Sequence, residues 1–234
     1  DNLTSEYFGN LYEKDKMKFD IIYKLFIDKT SHLLKLVGAN INTVPVLDLR
    51  IKGSNNIIGD RSFSKKAKTV SKMGDLCIKL FQENSIGTII KHIPGHGLAK
   101  VDSHNFTPVV YKSLNYLKKY DFSVFKKKSC FFAMTAHVIY KNIDKLNTAT
   151  HSKKVINHIR NSIGFKNIII SDDLSMKSLK ETMKDNTIKS FKAGCNIVLH
   201  CNGNLNEMKI VAENSPLISS FIIKKTSQFY KILS

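Results

Sequence analysis

Lys91 to His104 reads K-H-I-P-G-H-G-L-A-K-V-D-S-H, three histidines, an aspartate and a leading lysine gathered around Gly95 and Gly97. Ordinary structural loops do not concentrate titratable groups in this way. The apolar run Ile86 to Ile90 precedes it and reads as a buried strand, so the charged cluster begins where a strand ends. In parallel α/β folds that edge is where ligands bind and chemistry occurs.

The same reading extends in both directions. From Lys14 to about Val37, Ile21, Ile22, Leu25, Phe26, Leu33, Leu34 and Val37 recur at helical spacing, and Gly38 stands where a helix cap belongs. Ile41 to Leu49 reads as a strand, Phe63 to Phe81 as a helix, Ile86 to Lys91 as a strand and Leu114 to Phe125 as a helix. Cys130 to Ala136 is extended, and Ser152 is the expected N-cap of a helix that buries Val155, Ile156, Ile159 and Ile163 and closes at Gly164. Ile168 to Ser171 is a strand, Met176 to Lys192 a helix and Ile197 to Cys201 a last strand, with a helical pattern again beyond Pro216.

Strands that are apolar throughout, alternating with helices, predict a parallel sheet covered on its outer side. About five strands are legible, whereas a closed (β/α)8 barrel needs eight. Either the sheet is open, or the chain holds only part of a barrel.

Composition excludes some functions. The 234 residues are 42% hydrophobic, enough for one sizeable core, and no apolar run reaches the roughly 18 residues of a membrane helix. No N-terminal stretch reads as a signal peptide. Cys77, Cys130, Cys195 and Cys201 lack C-x-x-C spacing and read as buried thiols of a reducing compartment. The net charge of +18 suits nucleic acid, but the lysines are scattered and no aromatic residues interleave with them. Only Lys126-Lys127-Lys128 is a tight run, expected at a helix end.

Polar groups stand at successive strand ends: Asp48 and Arg50, Lys91 and His92 with Asp102 and His104 in the next loop, His137, and Ser171-Asp172-Asp173, while Gly59-Asp60-Arg61 lies in the loop after the first strand. V-P-V-L-D at Val44 to Asp48, I-G-D-R-S-F at Ile58 to Phe63, K-H-I-P-G-H-G with D-S-H, A-H-V-I-Y at Ala136 to Tyr140, I-S-D-D-L-S-M at Ile170 to Met176 and A-G-C-N at Ala193 to Asn196 follow in order. On these motifs the chain resembles the bacterial β-N-acetylglucosaminidases (β-hexosaminidases) of glycoside hydrolase family 3, the single-domain type used in peptidoglycan recycling. Ile93 stands where the family usually has Phe.

The resemblance implies a (β/α)8 barrel of the TIM type, of which this chain holds about the last five β/α units, with residues 1–234 forming a single catalytic domain incomplete at its N-terminus. The family's D-Q-E-G-G-R run, on a strand ahead of this region, has no counterpart here. A gap flanked by the Ile41 and Ile197 strands is therefore expected. The implied activity is retaining removal of a terminal β-linked N-acetylglucosamine from muropeptides in the cytoplasm, by a monomer without cofactor or metal. Asp172 maps onto the nucleophile, His104 onto the general acid and base, Asp102 onto its partner, and Arg61, Lys91 and His92 onto residues that hold sugar hydroxyls.

These roles also stand on general chemistry. A carboxylate at a barrel mouth can form a glycosyl ester, and an imidazole, with an ordinary pKa near about 6.5, passes protons both ways near neutrality. Asp102 can hold one ring nitrogen of His104, and the glycine-bounded loop can carry the pair onto bound sugar. Competing readings exist: Asp172, and more so Asp173, as helix caps; His137 as a lining residue or a satisfied buried one; His96 as a structural hydrogen-bonder; Arg61 as a surface ion-pair residue; His92, His96 and His104 as zinc ligands, against which their spacing speaks. Two further classes compete with the active hydrolase: an inactive remnant of the same family, and a basic nucleic-acid-binding module.

Overall fold

The computed structural model describes residues 3–51, 53 and 56–233. Two helices come first, α1 (Ser5–Lys14) and α2 (Lys16–Leu36), capped by the side chains of Thr4 and Asp15. Only α2 was legible as a helix; at its end Gly38 takes φ +76 and Ala39 N–H closes onto the Leu34 carbonyl. Phe8, Tyr12, Phe19, Tyr23 and Phe26 form one aromatic cluster between the two helices.

β1 is only Ile41–Asn42, but its parallel pairing with β2 (Gly87–Ile93) continues through Pro45 and Leu47, both bonded to Lys91. The strand expected over Ile41 to Leu49 is thus short because Pro45 lacks an N–H and the backbone beyond it turns to serve the site. Between them lies α3 (Ala67–Glu83), which buries Val70, Met73, Cys77 and Phe81 as its spacing predicts. At Gly74 an added Cβ would lie 2.4 Å from Leu47 Cδ2, so this glycine lets α3 approach the sheet.

The chain continues through β3 (Val109–Val110), α4 (Leu114–Lys119), β4 (Phe132–Thr135) and β5 (Ile139–Tyr140), with β3 and β5 pairing apart from the main sheet. The helix expected to reach Phe125 stops at Lys119, and Ser123–Phe125 forms a separate 3₁₀ turn. Lys128 does not face solvent at a helix end. Its ammonium reaches Asp75 at 2.9 Å and Ser71 Oγ at 2.7 Å, both on α3. α5 (Lys153–His158) starts at the Ser152 cap and runs into a π-helical turn ended by Gly164 at φ +85.

β6 (Ile168–Asp173) is followed by turns, and α6 spans only Met183–Ala193. The helix expected from Met176 begins only at Met183, because Asp173 binds Ser175 into a turn and Thr182 supplies the N-cap, while Met176 and Leu179 are buried in the segment before it. β7 (Ile197–Leu199), α7 (Leu205–Glu213) and α8 (Ser220–Leu233) complete the order; α7, like α1, gave no clear sequence signal. Cys77, Cys130 and Cys195 are buried as expected, whereas Cys201 is exposed, and all four are free.

The main sheet is parallel, in the order β1-β2-β4-β6-β7. It curls into a half-barrel, and β1 and β7 are its two edges. Ile90, Ala133 and Ile169 point to the outer helices; Ile89, Phe132, Met134, Ile168 and Ile170 point to the concave face. In a closed barrel that face is filled by side chains of the other strands. Here α8 covers its lower part with Phe221, Ile222, Phe229 and Leu233. Phe229 packs on the rings of Phe131 and Phe132 and lies against Gly87, where a Cβ would meet its ring at 2.5 Å.

Candidate active site

The upper, C-terminal ends of the strands carry the polar groups. Against β4, the register of β2 shifts between Lys91 and Ile93, which face the adjacent residues Met134 and Thr135. Two residues of β2 thus oppose one of β4, a bulge that breaks strict alternation and lets both Lys91 and His92 reach the mouth. Lys91 also reaches Thr43 Oγ1 at 3.3 Å. Burial and the nearby Arg61 push the Lys91 ammonium below its ordinary value, while Asp172 and Asp48 pull it back up.

Asp48 organises this end of the sheet. Fully buried, it accepts from His92 N–H at 3.1 Å, His92 Nδ1 at 2.7 Å and His96 N–H at 2.6 Å. Burial pushes this carboxyl up, but His92 and His96 outweigh it and the net shift is downward, so Asp48 is ionised at neutral pH. The carboxylate fixes the His92 tautomer with hydrogen on Nδ1 and aims Nε2 at Asp172 Oδ2, 3.8 Å away. His96 packs edge-on against His92 and binds Ser103 Oγ at 3.1 Å through Nε2. Burial pushes it down to about 4, so it is neutral, and the sequence reading of His96 as a structural bonder agrees with this position.

β6 ends in the two aspartates. Ile168, Ile170 and Asp172 share the concave face by the period-2 rule, which delivers Asp172 to the mouth. Burial raises its pKa, but His92, His137, the Asp173 amide and Lys91 together hold it below the ordinary carboxylate range. Asp173 instead binds Ser175 N–H, Ser175 Oγ and Cys201 N–H, tying the turn after β6 to the end of β7. His137 is fully buried, with Nε2 at 3.0 Å from the Asp173 carbonyl and Nδ1 at 2.7 Å from Thr150 Oγ1. A carbonyl only accepts, so Nε2 carries the hydrogen, Thr150 donates to Nδ1, and Thr135 donates to Thr150 at 2.8 Å.

The loop after the glycines brings in Asp102 and His104. Asp102 Oδ1 accepts from His104 N–H at 2.7 Å and lies 2.8 Å from His104 Nδ1, and among the described residues Nε2 has no hydrogen-bond partner. Burial raises the Asp102 carboxyl, but these bonds hold it below its ordinary value. The His104 side chain remains 61% exposed. Arg61, at the end of the 3₁₀ turn Gly59–Arg61, Lys91, His92, His104 and Asp172 line one cavity of about 200 Å³ with His96, Ser103 and Met176. Asp102 is held beside it through His104. All six residues nominated for catalysis or sugar contact therefore meet at one place, five of them on the cavity wall.

A parallel half-barrel with this cluster at its strand ends is the setting in which relatives become informative. The sequence profile described as "Glycosyl hydrolase family 3 N terminal domain" matches residues 14–226. The chain belongs to glycoside hydrolase family 3. It is 32% identical over 174 residues to a β-hexosaminidase of Nitrosomonas eutropha, covering 72% of this chain and 50% of that protein. Against a β-hexosaminidase of Neisseria meningitidis serogroup B the identity is 33%, covering 72% and 48%. The chain thus spans about half the length of the curated relatives it matches. The crystal structure of NagZ from Neisseria gonorrhoeae in complex with N-trifluoroacetyl-D-glucosamine superposes with a TM-score of 0.85 at 27% identity, over 97% of this chain and 67% of that one. The fold is accordingly a partial α/β barrel.

The sequence places Asp48 at a strand end but assigns it no role. Its partners lie 44 and 48 residues away, so no local spacing announces them.

Proposed function

We propose that the protein is a retaining exo-β-N-acetylglucosaminidase that removes terminal β-linked N-acetylglucosamine from peptidoglycan fragments. The observation that carries this reading is the ionised Asp172 sharing one cavity with His104, Lys91, His92 and Arg61. The naming of the relatives as β-hexosaminidases, and the glucosamine derivative bound to the Neisseria gonorrhoeae protein, support the substrate class.

In the first half-reaction an Asp172 oxygen attacks the anomeric carbon while His104 Nε2–H gives its proton to the departing glycosidic oxygen. The C–O bond to the leaving group breaks as the glycosyl ester forms. In the second, neutral His104 takes a proton from water as that water attacks the same carbon, which restores the carboxylate with overall retention. Asp102 holds Nδ1–H throughout and stabilises the imidazolium. Arg61, Lys91 and His92 supply donors for the sugar hydroxyls. We place the enzyme in the cytoplasm, acting as a monomer on muropeptide fragments; among the described residues no helix is long and apolar enough to cross a membrane.

A second reading, a sugar-binding remnant without turnover, draws on the open sheet whose edges β1 and β7 are unpaired with each other. Both are tested by incubating the chain with 4-nitrophenyl β-N-acetylglucosaminide and following nitrophenolate release and the configuration of the sugar by NMR. Release of β-configured sugar, lost in Asp172→Ala, supports the hydrolase. Saturable N-acetylglucosamine binding without release supports the remnant.

A further inference from the structure

Beneath the turn that leads to Asp102 and His104 lies a carboxyl that none of these roles uses. Asp121, just past α4, is 0% exposed, and among the described residues neither of its carboxyl oxygens has a hydrogen-bond partner. It sits against both glycines of the P-G-H-G turn. A Cβ on Gly95 would fall 2.6 Å from Asp121 Oδ2, and one on Gly97 would fall 3.1 Å from Oδ1 and 2.4 Å from the Leu49 carbonyl. The turn is otherwise held by Asp48, which accepts from His96 N–H, and by Tyr140, whose hydroxyl donates to the Gly95 carbonyl.

We propose that Asp121 is a positioning residue for the active-site loop: its carboxyl fills the space that Gly95 and Gly97 leave open and so sets the path along which the loop delivers the Asp102–His104 pair to the cavity. This rests on the glycosidase reading only for what the pair does there; the packing itself does not depend on it.

A side chain at Gly95 would collide with the carboxyl, and one at Gly97 would collide with the Leu49 carbonyl and crowd the carboxyl as well, while a smaller group in place of the carboxyl would leave a void under the turn. Asp48 and Asp121 flank that turn with opposite characters. Asp48 has three donors and is ionised, whereas burial, and then the negative charge of Asp48, push Asp121 well above the carboxylate range. The titratable groups that act on Asp121 are Asp48 beyond the turn and Tyr140 on β5, and among the described residues neither is a cation that could hold it ionised. As an acid it also gains one donor, and the Leu49 carbonyl lies on the same side of Gly97.

The sign of the pH effect follows. A carboxyl whose folded value is raised stabilises the fold fully below its unfolded pKa of about 3.9, and that contribution is lost as pH rises toward the folded value. Above it, the loop must accommodate an unpaired buried charge.

The test is a ¹³C-carboxyl and ¹⁵N-amide NMR titration of the wild-type chain, alongside Asp121→Asn and Asp121→Ala. The Asp121 carboxyl should titrate above the ordinary unfolded value of about 3.9, and the Gly95, His96, Gly97 and His104 amides should move with that same midpoint. In Asp121→Asn those movements should vanish, and its melting temperature should gain on wild type as pH rises. Asp121→Ala should melt lower at every pH, with Asn restoring the loss. Loop amides that ignore the Asp121 titration, or an Asn variant no better than Ala, overturn the proposal. The wild-type titration alone decides it should the variants not fold. None of these signals needs turnover, so an inactive chain counts against the glycosidase reading and leaves this one standing.

Discussion

Asp48 grips His92 twice, at the backbone amide and at Nδ1, the latter at 2.7 Å, and so joins the segment after β1 to the ring beside Asp172. Removing the carboxylate leaves three buried donors without an acceptor. Asp48→Ala should cost several kcal/mol, about 1–3 kcal/mol for each buried donor left unsatisfied, read as a lower urea midpoint. Asp48→Asn should keep more of that stability yet weaken N-acetylglucosamine binding, because an amide no longer enforces hydrogen on Nδ1. Unchanged sugar affinity in a folded Asn variant would remove Asp48 from the binding machinery.

In the form of the protein that turns over substrate, Asp172→Ala should abolish hydrolysis, since no covalent intermediate can form. His104→Ala should slow substrates with poor leaving groups by about 10²–10⁴-fold, the range that general acid catalysis supplies. Aryl glycosides with good leaving groups should instead show a burst, and azide should rescue turnover to a product of retained configuration. Equal, unrescued losses for both substrate types would contradict the role given to His104.

Several buried histidines make acid sensitivity predictable. Burial pushes His96 and His151 down to about 4 and lowers His137, so the native state resists protonation that the unfolded chain accepts. Their contribution is present above the unfolded value of about 6.5 and is lost as pH falls toward the folded values. In Asp121→Asn, which lacks the opposing gain of the buried acid, stability should therefore decline between about pH 6.5 and 4, by up to about 1.4 kcal/mol per unit for His96 and for His151. Urea titrations across that range check this, and a flat profile would show that these rings take up protons in place.

The concave face supplies a stability prediction independent of the site. Phe229 is 3% exposed against Phe131, Phe132 and Gly87, whereas its neighbour Tyr230 is 61% exposed. Phe229→Ala should cost about 3–5 kcal/mol, as large-to-small aromatic changes in cores do. Tyr230→Ala should stay within about 0.5 kcal/mol. Similar effects at the two positions, measured by denaturant unfolding, would mean that α8 does not seal the half-barrel.

What the sequence determined by itself is what lies close together along the chain. The strand ending at Lys91, the adjacent Asp102–His104 pair and the strand that delivers Asp172 were all legible, because period-2 burial and a short loop act over a few residues. The cap at Ser152 and the closing Gly164 were legible for the same reason. Tertiary structure decided the rest. A buried apolar residue does not say whether a helix or a turn presents it, so Met176 and Leu179 passed for the start of α6. An amphipathic helix declares that one face is covered but not by what, so nothing in Phe221 to Leu233 announced the concave side of the sheet. Asp48, Asp121 and His137 acquire their character only when partners from distant segments, or their absence, surround them in the interior, where desolvation turns a common side chain into an ionised hub, a raised acid or a locked tautomer.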